Sequence, residues 1–246
     1  SGSCLNDRRK NDWGADCMEN GSRMIHYHGT PMTPRSELWG MAGKHFCVSY
    51  GDPRDADVCL RIGQSVMFDN GAFSLFTKGI PTQWEKFYAW VEPRLGHPHW
   101  AVVPDVIDGG EEDNLALIKE WPHREDCAAI VWHLSESIDH LLKLSDLGFG
   151  KLAFGSSGEY WQVGSDRWEN RIDAAFNALA KNGPLPWVHM MRGLSLGGKR
   201  WPFASADSTN VTINHSSNAE YMARQIDSSQ CPVGWDVKPV QQDLVA

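Results

Sequence analysis

The chain has 246 residues, 41% of them hydrophobic, and a formal net charge of −8. That is enough apolar content for one substantial core, while the acidic balance disfavours nucleic-acid binding driven by overall charge. No apolar run reaches the ~20 residues of a membrane span, no signal peptide opens the chain, and the six scattered cysteines form no Cys-x-x-Cys pair, so a cytoplasmic protein with structural thiols, no membrane partner, no metal and no other cofactor is expected.

Residues 1–22 are polar and without periodicity, and read as an irregular N-terminal arm whose Ser1-Gly2-Ser3 start is an expression remnant. Residues 23–246 then fall into a rhythm. Short β-prone runs occur at 24–27, 45–50, 65–69, 100–106, 128–134, 151–155, 187–192 and 204–211. Amphipathic segments at 81–94, 111–121, 136–147, 165–181 and 216–226 separate most of them. A further short helix fits 33–43, and the 51–64 connection reads as irregular. Apolar strands alternating with helices imply a parallel sheet covered on both faces. Eight such strands in this length predict an α/β fold, a single (β/α)8 barrel of the TIM type. A doubly wound open sheet is the alternative, disfavoured because no Gly-x-Gly-x-x-Gly turn follows the first strand.

In such barrels the working face lies at the C-terminal ends of the strands. Reading those ends in order gives His28, Asp69, Asp105, His133, the turn Gly155-Ser156-Ser157-Gly158-Glu159, Met191-Arg192 and Asp207. A hard metal on Asp69, Asp105 and Asp207 lacks a further acidic ligand at a comparable position. Paired carboxylates suit a sugar anomeric carbon: one stabilises or attacks C1′ as it gains positive character, while the other moves a proton. His97 and His99 read as loop residues, and His189 as a satisfied histidine inside strand seven.

The ordered segments FDNGAFS, PDVIDG, WHLSES, LAFGSSGEYW, HMMRGLSLGG and ASADSTNV resemble those of the tRNA-guanine transglycosylase superfamily, which includes DpdA-type enzymes that exchange bases in DNA. The resemblance spans about residues 24 to 215. It implies a barrel that cleaves an N-glycosidic bond. Asp69 stands where the family has its acid/base aspartate, and Asp207 where it has its nucleophile. Asp105, His133, Gly155, Ser156, Gly158 and Met191 stand in base-binding positions, with Trp132 or Trp161 on the base face. His133 replaces a family glutamine, which alters the base edge recognised. The family's zinc motif for tRNA and the Pro-Thr-Arg after the nucleophile are missing, which favours DNA over tRNA.

The resulting expectation is a nucleobase glycosylase or transglycosylase on a modified base in DNA, with antiviral defence as a setting and water or a free base as acceptor. Arg192, Lys199 and Arg200 are the expected contacts to the nucleic-acid backbone. A small-molecule glycosidase or nucleoside hydrolase, tRNA base exchange, and a non-catalytic barrel are the alternatives.

Overall fold

The computed structural model describes residues 24–193, 200–230 and 234–237. The expected N-terminal arm therefore lies outside the described residues, as does Lys199. Eight strands run in chain order: β1 (Ile25–Gly29), β2 (His45–Ser49), β3 (Ser65–Asp69), β4 (Trp100–Val102), β5 (Ala128–His133), β6 (Lys151–Gly155), β7 (Val188–Met190) and β8 (Ser205–Ser208). Each pairs in parallel with the next, and β1 pairs with β8, so the sheet closes. The helices outside it are α1 (Ser36–Gly40), α2 (Ala56–Ile62), α3 (Ala72–Thr77), α4 (Trp84–Val91), α5 (Glu111–Lys119), α6 (Ile138–Ser145), α7 (Asp166–Asn182), α8 (Asn210–Asn214) and α9 (Ala219–Ser228).

Two apolar layers hold this arrangement. Outside the sheet, Phe46, Phe68, Trp132, Phe154 and Phe176 are fully buried between strands and helices. Inside the barrel, Tyr27, Met67, Trp100, Val102, Ala129, Val131 and Ala153 form a second cluster. Both faces of β5 are buried along its whole length, which explains its unbroken apolar run. Each large side chain removed from water contributes about 1.5–3 kcal/mol. Helix starts follow local chemistry: Ser137, Ser165 and Asn218 accept hydrogen bonds from the His140, Trp168 and Tyr221 amides at the heads of α6, α7 and α9.

The structure departs from the sequence reading in several places. The 51–64 connection contains the regular helix α2. β4 stops at Val102, two residues before Pro104, which has no amide to continue a ladder. The expected tail of the last strand becomes α8. His28 is not at the strand end: it lies inside β1 and, alternating with the inward Tyr27, faces away from the interior, where Nε2 meets Asp227 Oδ1 of α9 at 2.9 Å. Trp132 is likewise turned outward and fully buried, its indole N–H donating to the Ser137 carbonyl beneath the Arg171 guanidinium. It does not reach the mouth. Among the described residues, no helix is long and apolar enough to cross a membrane.

Candidate active site at the barrel mouth

Asp69 is the last residue of β3, opposite Ser49 in the β2 register. Its carboxylate accepts from the Gly71 amide at 3.1 Å and from the Ser49 side chain. Gly71 adopts φ +76° at the head of α3, and a Cβ there would lie 2.9 Å from the Gly51 nitrogen. The glycine is thus required twice, by its left-handed backbone and by the close approach of the β2 connection. The neighbouring Asn70 is buried. Its amide donates to the Val103 carbonyl and to Asp105 Oδ1, both at 2.9 Å, while its Oδ1 accepts from the Ala72 amide at 2.8 Å.

Asp207 is the penultimate residue of β8. Oδ1 accepts from the Arg192 amide at 2.9 Å and lies 3.2 Å from His189 Nε2. His189 is fully buried, and its Nδ1 lies 2.8 Å from Ser205 Oγ. Ser205 also receives the Trp187 indole N–H at 3.0 Å, leaving its own proton for Nδ1 and the Nε2 proton for Asp207. His189 is therefore a positioning partner of Asp207. The sequence reading of a satisfied histidine describes its hydrogen bonds, but it missed their target. Arg192 reaches Asp207 through a left-handed backbone, φ 59°, uncommon for a residue with a side chain. Its guanidinium lies 3.9 Å from the Phe73 ring centroid, so it bridges the connections leaving β7 and β3.

The two aspartates are tuned in opposite directions. Both are half-buried at the ends of their strands. For Asp69, removal from water raises the pKa, the Ser49 hydrogen bond opposes that, and the charges of Asp207 and Asp105 add to the rise; the result is about 6. For Asp207, removal from water also pushes upward, but the His189 hydrogen bond and the Arg192 amide outweigh it and hold the carboxyl below its ordinary value. The charges of Asp207 and Asp105 thus reach Asp69, in keeping with three carboxylates set at or just past the C-terminal ends of β3, β4 and β8. Cys47, on the β2 wall, has its thiol pushed well up by burial and then by Asp207 and Asp69, so it stays protonated and is a poor nucleophile.

A third group lies beside them. Asp105 Oδ2 is 3.0 Å from His133 Nε2, an ion-pair contact that is off the line of a straight hydrogen bond. Burial lowers the affinity of His133 for a proton, yet Asp105 and then Glu136 outweigh it and the pKa is raised. The buried Glu136 accepts from the His133 amide and from Asn114 Nδ2, each at 2.9 Å, while Asn114 accepts from the Val106 amide at 2.7 Å. Arg171 donates to the Leu134 carbonyl at 2.8 Å and to the Glu136 carbonyl. These bonds lock the connections after β4 and β5, fixing Asp105 and His133.

The remaining expected residues fare differently. Gly155 is the last residue of β6, paired with His133, and a Cβ there would sit 3.4 Å from His133 Nδ1. Met191 packs against the interior cluster. Ser156 accepts the Trp168 indole N–H at 3.0 Å, so its hydroxyl is tied to α7. Gly158 takes φ +52° in the same connection, against Ser135. Arg200 is engaged away from the mouth: it pairs with Glu169 and Asp173 of α7 and lies over Trp201, so its charge is neutralised locally. Asn70, Asn114, Glu136 and Arg171 were missed. Asn70 stood in plain view beside Asp69 but read as a turn residue. No protein-family model and no curated protein matches the chain, so the resemblance to the transglycosylase superfamily rests on its ordered motifs alone.

Proposed function

We propose that the chain is a nucleobase glycosylase or transglycosylase acting on an N-glycosidic bond, with a modified base in DNA as the favoured substrate. The observation that carries this reading is the pair of carboxylates at one mouth with pKa values pushed apart, Asp69 to about 6 and Asp207 below the usual range. Such a pair divides naturally into a proton carrier and a permanent anion. Asp207 attacks C1′, the C1′–N bond breaks, and its electron pair leaves with the base nitrogen. The carboxyl proton of Asp69 goes to that departing base. The Asp69 carboxylate then takes a proton from water, whose oxygen displaces Asp207 from C1′ and leaves an abasic sugar. A free base entering in place of water gives exchange. Asp105 and His133 present an acceptor and a donor to the base edge, and Met191 supplies an apolar contact.

A nucleotide must leave its stack to reach such a mouth. Phe73 and Trp161 are exposed on the connections leaving β3 and β6, at the same end as Asp69, and suit stacking on flanking bases. Arg192 stands beside Phe73 as the cation for a phosphate. The test is mass spectrometry of modified and plain DNA after incubation with the protein. Release of a free base with a matching abasic site supports the reading. No release from either DNA contradicts it.

A small-molecule nucleoside hydrolase is the second reading. The local neutralisation of Arg200 and the net charge of −8 favour it. Binding to short DNA that does not weaken with salt would point that way, because phosphate contacts release counterions.

A further inference from the structure

A second cluster of chemically active side chains lies at the opposite end of the barrel. His97 is in the segment leading into β4, and Asp126 and Cys127 form the end of a 3-10 turn leading into β5. One ligand atom from each lies within 4.8 Å of the other two. His97 Nε2 is 3.4 Å from Asp126 Oδ2, and the Cys127 thiol lies beside the same carboxylate. From these contacts we propose that His97, Asp126 and Cys127 form a binding site for a zinc-class divalent ion that joins the lead-in segments of β4 and β5.

The donor set decides the class of ion. A thiol, an imidazole and a carboxylate together suit zinc or cobalt, whereas calcium and magnesium prefer oxygen alone. With bonds of about 2.0–2.3 Å, ligand atoms around a tetrahedral ion stand roughly 3.3–3.8 Å apart. The present spacing needs only a small inward turn of His97, whose side chain is 64% exposed and has room to move. The other two ligands are held in place. Cys127 is fully buried, and Gly150 packs so closely on the turn that a Cβ would lie 2.3 Å from the Asp126 carbonyl oxygen. Arg124 grips both Asp126 oxygens, at 3.0 and 2.5 Å. Each oxygen retains a lone pair, so Arg124 orients the carboxylate as an outer partner. A metal bound by the Cys127 thiolate would replace the thiol proton, which is the usual exchange at such sites.

The ion lies far from Asp69 and Asp207, on the face where barrels carry stability. The sequence alone led to an expectation of no metal, with His97 as a loop residue and the cysteines as structural thiols; the proposed site differs from that expectation. Titration of the whole chain with cobalt(II) tests the site. A near-ultraviolet sulfur-to-cobalt charge-transfer band is expected, lost in Cys127→Ser and retained in Cys47→Ser. His97→Ala, an exposed change that leaves the core intact, should weaken cobalt binding by at least about tenfold. Zinc should raise the melting temperature of the native chain and not that of His97→Ala. The proposal is overturned by the absence of the band at micromolar cobalt, by its survival in Cys127→Ser, or by unchanged affinity in His97→Ala. Should Cys127→Ser fail to fold, His97→Ala alone decides the matter.

Discussion

The floor and the mouth of the barrel both place polar groups in an apolar interior, and they treat them in opposite ways. At the floor the groups satisfy one another. Tyr27 Oη accepts from the Trp100 indole at 2.8 Å and from Ser65 Oγ at 3.1 Å, and Ser65 Oγ lies 2.7 Å from His45 Nδ1. At the mouth three carboxylates gather at one end of the strands, and Asp69 is held against the charges of the two others. Partnered polar groups rigidify a core, whereas a carboxylate kept among like charges destabilises the fold and becomes reactive. Arg192 follows the same pattern, with a left-handed backbone at the residue whose amide donates to Asp207.

Substitutions at the two ends should separate these roles. The largest effect is expected from Asp207→Asn, which removes the permanent anion: on the proposed mechanism base release should fall by about four orders of magnitude or more. Because the folded state holds the Asp207 carboxyl below its ordinary pKa, the same change should also lower stability at neutral pH. Asp69→Asn should lower release about a hundredfold to a thousandfold. On the proposed mechanism the Asp69 carboxyl enters the cycle protonated, so base release should decline as pH rises through about 6. Stability has a matching sign. Asp69 has a folded pKa above its unfolded value, so the folded state binds the extra proton between 3.8 and about 6, and stability falls across that window as pH rises. Above pH 6, Asp69→Asn should therefore be more stable than the native chain, by about 1–3 kcal/mol in urea unfolding. A less stable variant there would remove the distinction between the two ends.

The smallest effect on chemistry should come from the floor. Tyr27→Phe deletes the acceptor of two buried donors and should cost about 1–3 kcal/mol of stability while leaving base release per folded molecule unchanged. A fall in release as large as that of Asp69→Asn would show that the floor takes part in the reaction.

The same contrast explains what was legible in the sequence. Strand order and the positions of Asp69, Asp105, His133 and Asp207 follow from apolar runs ending in polar residues, because strand ends in a parallel barrel share one face. The orientation of His28 depended on where β1 begins and ends, since a one-residue shift reverses the face. Residues 210–214 carry β-branched side chains that fit a strand as well as the helix α8 they form. The bonds from Asn70 to Asp105 and from Asn114 to Glu136 join residues 35 and 22 positions apart, and no local pattern encodes them. Arg200 read as a free cation because its partners Glu169 and Asp173 belong to a distant helix.

The most direct test is a carboxyl NMR titration of Asp69 in the native chain and in Asp207→Asn. Because the Asp207 charge adds to the rise at Asp69, Asp69 should titrate near 6 in the native chain and at a lower pH once Asp207 is neutral. An Asp69 that titrates in the ordinary carboxylate range, or that ignores the substitution, would contradict a shared site.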